Sequence, residues 1–114
     1  VHSWEGGDQI TKAIAQSAGE AAEARIVVLS FSLSRCGPCK LMDPMVEKLS
    51  SDFGDKAQFI KIVGDADPSA MDLMTEHGIR AVPSYHVFNG GERVRTITGA
   101  KYDELRETLE QHAR

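Results

Sequence analysis

Ile26-Val27-Val28-Leu29-Ser30-Phe31-Ser32-Leu33-Ser34-Arg35-Cys36-Gly37-Pro38-Cys39-Lys40 is the stretch on which the reading of the chain turns. Residues 26–33 are almost continuously apolar and β-branched at their start, as expected of a central strand covered on both faces. Both cysteines of the protein follow directly, separated by two residues. From Pro38 onward Leu41, Met42, Met45, Val46, Leu49 and Phe53 form an apolar stripe at helical spacing that ends at Gly54-Asp55, so the cysteine pair opens a long helix. Pro38 suits the first turn of that helix, whereas Pro44 removes a backbone donor in its middle and is expected to kink it. Two cysteines so placed can bond to each other, with the Cys36 sulfur outermost and Cys39 one turn further in, and can cycle between dithiol and disulfide.

The flanking sequence supplies alternating elements. Gly6-Gly7 reads as a turn and Asp8 as an N-cap, after which Ile10, Ala13, Ile14, Ala18 and Ala21 recur at helical spacing to about Ala22. Ala57 to Val63 reads as a strand, and Asp67-Pro68 as the cap and first residue of a short helix to about Glu76, stopped by Gly78. Ser84 to Phe88, a turn at Asn89-Gly90-Gly91, and Glu92 to Thr98 read as a hairpin. Tyr102, Leu105 and Leu109 mark a closing amphipathic helix. This order predicts one α/β domain over residues 1–114, a central mixed sheet flanked by helices on both faces.

At 114 residues the chain can bury roughly 60–70% of its extended surface and needs no staple to fold. The net charge of -4 comes from interspersed signs, which argues against nucleic acid or an anionic membrane as partner. No stretch approaches a membrane span, and the opening residues lack a basic-then-apolar signal pattern, so a cytoplasmic location is expected, or an organellar one if a leader precedes Val1. Zinc normally takes four ligands, and there is no second cysteine pair; His2, His77, His86 and His112 are scattered, so they read as surface or packing residues and no metal is expected. A purely structural disulfide is disfavoured as well, because a bridge across two residues constrains little chain entropy.

The thiolate is the attacking species, so the chemistry depends on what holds charge on Cys36. Free backbone N–H groups at a helix N-terminus and the helix dipole both favour an anion there, and Arg35 adds a permanent positive charge next to it in sequence. Cys39, inside the helix, is expected to be less exposed and less acidic. Cys36 is therefore the expected nucleophile and Cys39 the residue that resolves the mixed disulfide.

The strand, Cys36-Gly37-Pro38-Cys39-Lys40, the mid-helix Pro44 and Gly78-Ile79-Arg80-Ala81-Val82-Pro83 together resemble the thioredoxin family over nearly the whole chain. The resemblance implies a thioredoxin fold and a cis Pro83 facing Cys36, with the Val82 backbone pairing to an extended substrate segment. It also implies a small apolar contact surface made by Gly37, Pro38, Val82, Gly99 and Ala100. Three positions depart from the family pattern. Arg35 stands where members usually carry Trp, Ser32 where they usually carry an aromatic, and Ser30 where they have a buried Asp. Lys61 matches the family's buried lysine, which in similar proteins lies near that Asp. A carboxylate can accept and return the proton of the resolving thiol, while a serine hydroxyl is no base near neutral pH, so the exchange at Ser30 predicts slower resolution.

The function these residues imply is that of a thioredoxin-type protein-disulfide reductase, contributing to cell redox homeostasis and electron transport. It would reduce protein disulfides with electrons from thioredoxin reductase or a similar partner and hold no cofactor beyond its own redox-active disulfide. The alternative is a binding or adaptor module of a larger assembly with weak or specialised redox activity, which the loss of the Trp and Asp positions would favour. A glutaredoxin-like reaction with glutathione is weaker, because Gly37-Pro38 between the cysteines is thioredoxin-like.

Overall fold

In a computed structural model, residues 1–18 and 25–113 are described. The apolar run forms strand β2 (Ile26–Ser32), preceded by a short strand β1 (His2–Ser3) and helix α1 (Gln9–Ser17). Helix α2 (Gly37–Phe53) follows, then a 3-10 turn, strand β3 (Ala57–Val63), helix α3 (Pro68–Glu76), the hairpin β4 (Ser84–Asn89) and β5 (Glu92–Thr98), and helix α4 (Tyr102–His112). The strands make one five-stranded sheet in the order β1-β3-β2-β4-β5. The first three run parallel, and β4 and β5 are antiparallel to their neighbours.

β2 lies at the centre, and all seven of its residues are buried. Its side chains alternate between two cores, as the period of a strand requires. Val27, Leu29 and Phe31 pack with Ile60 and Ile62 of β3 beneath α1 and α3, which contribute Ile10, Ala13, Ala70 and Met74. Ile26 and Val28 face the opposite way and pack with Phe59, Tyr85, Val87 and Ile97 under Met42, Val46 and Leu49 of α2 and Leu105 and Leu109 of α4. The same alternation turns Ser30 of β2 and Lys61 of β3, partners in the parallel register, toward α2.

Local chemistry sets the boundaries. Asp67 caps α3 by accepting the Ala70 N–H at 2.8 Å, and Gly78 follows the helix at φ +70°. Gly90 and Gly91 both have positive φ, as a two-residue turn of the hairpin type demands. Their N–H groups bond to the carbonyl and hydroxyl of Ser17, which ties the hairpin to the end of α1. One reading from sequence changes. Asp8 makes no side-chain cap; its carboxylate lies 3.7 Å from Lys12 one turn on. The described part of α1 ends at Ser17, and the expected continuation through Ala21 and Ala22 lies outside the described residues. Pro44 lies in the middle of α2, where the sequence places it.

Candidate redox site at the N-terminus of helix α2

The register of the sheet brings the loops of the site to one end. Phe31 of β2 pairs with Ser84 of β4, and Ser84 pairs with Thr98 of β5. The chain leaving β2 toward Cys36, the Val82–Pro83 bond entering β4, and Gly99–Ala100 leaving β5 therefore share this end. The Val82–Pro83 peptide is cis. The Gly99 N–H donates to the Pro83 carbonyl at 2.8 Å, so these two loops are joined directly. Gly37, Pro38 and Ala100 are exposed and Val82 and Gly99 half-buried, leaving small side chains and backbone on the rim.

Cys36 and Cys39 are joined in a disulfide, with Cα atoms 5.2 Å apart. Cys36 is the N-cap of α2 in extended conformation, and its sulfur accepts the Cys39 N–H at 3.1 Å. Its carbonyl accepts the Lys40 N–H, also at 3.1 Å. The nucleophile expected from sequence thus sits where helix donors converge, and a thiolate there gains from both the N–H group and the dipole. The difference in exposure is smaller than expected, because Cys36 is 7% and Cys39 4% accessible in the oxidised form. What separates them is direction: Cys36 is flanked by exposed Arg35, Gly37 and Pro38, whereas Cys39 opens the inward face that continues through Met42 and Val46.

Arg35 is exposed. Its charge acts on Asp65, in the loop after β3, whose carboxyl is held below its ordinary range. The main causes there are the hydroxyl and then the N–H of Ser34, with Arg35 a smaller one. The Ser34 N–H donates to Asp65 at 2.9 Å, and its hydroxyl donates to the other carboxylate oxygen. These bonds fasten the turn before Cys36 to the neighbouring loop. Sequence reading had no signal for this contact, since it joins residues 31 positions apart.

Beneath α2 the arrangement departs from the expectation for Lys61. Its ammonium is half-buried and pairs at 3.0 Å with Asp43 of α2. A cavity of about 140 Å³ lies between helix and sheet, lined by Ser30, Asp43, Val46, Glu47, Lys61 and Val1. Tyr85 flanks Ser30 from β4, and burial first, then the charge of Asp43, pushes its phenol up to about 12. The strand carboxylate that sequence analysis finds missing at Ser30 thus has a counterpart that the same analysis overlooked. The available signal was spacing: Asp43 follows Cys39 by four residues and so shares its helix face.

On the far face of the sheet His86 is 2% accessible. Its ring lies 5.2 Å from that of Phe31 and 5.8 Å from that of His77. Burial first, then Arg93 and His77, push its pKa down to about 4. It is a packing residue on the sheet face opposite α2. Among the described residues no cluster of three or more His, Cys, Asp or Glu side chains is placed to hold a metal ion.

A family model described as Thioredoxin matches residues 10–111. A "Thioredoxin H-type" protein of Chlamydomonas reinhardtii is 34% identical over 99 residues, covering 87% of this chain and 85% of the relative. "Thioredoxin F-type, chloroplastic" of Brassica napus is 38% identical over 91 residues, covering 80% of this chain and 48% of that protein. The crystal structure of a thioredoxin from Nicotiana alata superposes with a TM-score of 0.83 at 26% identity, covering 99% of this chain and 92% of that one.

Proposed function

The chain belongs to the thioredoxin family, and from that premise we propose how its two cysteines divide the work. The protein is a thiol–disulfide oxidoreductase acting as a protein-disulfide reductase, and the alternative of an adaptor module is not favoured. In the proposed cycle the Cys36 thiolate attacks one sulfur of a substrate disulfide, and the other substrate sulfur leaves with the bonding electron pair and takes a proton. The Cys39 thiolate then attacks Cys36, the Cys36–Cys39 bond forms, and the second substrate sulfur leaves as a thiolate. The observation that carries this assignment is the Cys36 sulfur at the N-cap of α2, accepting the Cys39 N–H at 3.1 Å.

Gly37, Pro38, Val82, Gly99 and Ala100 form the contact surface in this reading, and Pro83 presents the Val82 backbone to an extended substrate segment. Arg35 extends that surface with a positive charge, which favours acidic partners. Two electrons return from an external reductase of the thioredoxin reductase kind, and the disulfide itself is the redox-active group. Such a cycle runs reductively only where thiols are kept reduced, so we place the protein in the cytoplasm or in an organelle with a reducing interior. No helix among the described residues is long and apolar enough to cross a membrane.

The division of roles is tested by trapping. Cys39→Ser incubated with an oxidised protein substrate accumulates a covalent adduct that thiol reductant releases, and Cys36→Ser accumulates none. An adduct formed through Cys39 in Cys36→Ser reverses the assignment.

A further inference from the structure

Resolution requires that Cys39, 4% accessible, lose its proton. A group that takes it must be a base near neutral pH and must reach the inward face of α2. Ser30 borders the space in question but is no base in that range. Asp43 meets both requirements. It lies four residues after Cys39 on α2, which puts the two Cβ atoms about 5–6 Å apart. Its carboxylate lines the cavity of about 140 Å³ with Ser30, Glu47 and Lys61, and Lys61 holds it at 3.0 Å. That space exceeds the roughly 10–15 Å³ a water needs, and its polar lining supplies hydrogen-bond partners for one.

We propose that Asp43 is the proton acceptor for the resolving thiol, acting on Cys39 one helical turn away, beside the cavity it shares with Ser30 and Lys61. The carboxylate takes the Cys39 proton; the thiolate so formed attacks Cys36, and the substrate sulfur leaves with the electron pair. The proton on Asp43 then passes through the cavity to solvent or to the departing thiolate, which restores the starting charge. Lys61, 3.0 Å away, aims the carboxylate, and Ser30 orients water in the cavity. The carboxylate that serves this space is thus delivered from the helix, opposite a serine on the strand. Stability gives little reason for the Asp43–Lys61 pair, since half-exposed ion pairs contribute little to it.

This inference rests on the cysteine roles proposed above, and one assay separates the two. The reduced protein is mixed in stopped flow with dithio-bis-nitrobenzoate. Attack by Cys36 releases one coloured thiolate, and resolution by Cys39 releases a second. In Asp43→Asn the first phase keeps its rate, and the second slows by about 100-fold, the lower end of what a positioned proton acceptor supplies. The pH profile identifies the cause. The wild-type second phase holds level from neutral pH into mild acid, because a carboxylate accepts the proton, whereas in Asp43→Asn it depends on free thiolate and falls steadily as pH is lowered.

The other titratable groups facing Asp43 are Lys61 on β3, Glu47 on α2 and Tyr85 on β4. Tyr85, pushed up to about 12, keeps its proton across the acidic range, and Glu47→Gln leaves the wild-type profile in place. Asp43→Glu, which restores a carboxylate on a longer arm, recovers part of the rate. A second phase unchanged in Asp43→Asn overturns the proposal, as does a slowed one that keeps the wild-type pH profile. Absence of both phases in folded wild type sinks the reading of the cysteines instead.

Discussion

Acidification from about pH 7 to about pH 4.5 should weaken the fold through His86, well before the carboxylates titrate. The imidazole is 2% accessible, packed edge-on to Phe31, and Arg93 approaches its Nδ1 at 3.4 Å. Its pKa in the fold is about 4, against an ordinary value of 6.5. Between those values the unfolded chain binds the proton and the folded protein does not, so stability rises with pH in this window. The contribution is fully present above about 6.5 and is lost as pH falls toward about 4. A difference of this size corresponds to roughly 2–3 kcal/mol at pH 4.5, out of a total on the order of 5–15 kcal/mol for a domain. His77, shifted down mainly by burial, adds in the same direction. Asp65 and Asp67 are shifted down as well, so their contribution is lost only below the ordinary carboxylate range. Urea unfolding followed by the fluorescence of Trp4, the only tryptophan, reads the effect. The wild-type midpoint should fall over this interval, and His86→Leu should flatten the dependence whatever its stability at neutral pH. An equal fall in His86→Leu would refute the reasoning.

Leu49→Ala removes a fully buried side chain between α2 and the sheet and should lower stability by about 2–5 kcal/mol in the same urea assay; no measurable loss would mean that this core is not packed as described. Asp67→Ala removes the carboxylate that accepts the Ala70 N–H and should lower the urea midpoint at neutral pH, and by less in acid, where the wild-type cap is protonated. An undiminished difference at low pH would contradict the capping role.

Much of this fold was legible because its signals are local. β3, β5 and α3 fall where alternation, turn residues and the Asp67-Pro68 cap put them, and β2 ends within a residue of its expected limit. β1 was not legible. Its two residues are exposed and have no pattern of their own; they become a strand only because β3 offers an edge at Ile60 and Lys61. The cysteine pair stood out because its chemistry is carried by adjacent residues and the element boundaries around them. The Lys61–Asp43 pair and the Ser34–Asp65 clasp did not, since each joins side chains from distant segments that only the packed sheet brings together. Reading Ser30 alone suggested a missing carboxylate; reading the α2 face from Cys39 to Asp43 beside it supplies one.

The most direct test of the account is the reduction of insulin disulfides, coupled to NADPH consumption through a thioredoxin reductase and repeated with dithiothreitol as donor. Wild type should sustain turnover with either donor, and Cys36→Ser should have none. Folded, fully reduced wild type that fails with both donors, or turnover that survives in Cys36→Ser, would contradict a disulfide reductase built on Cys36.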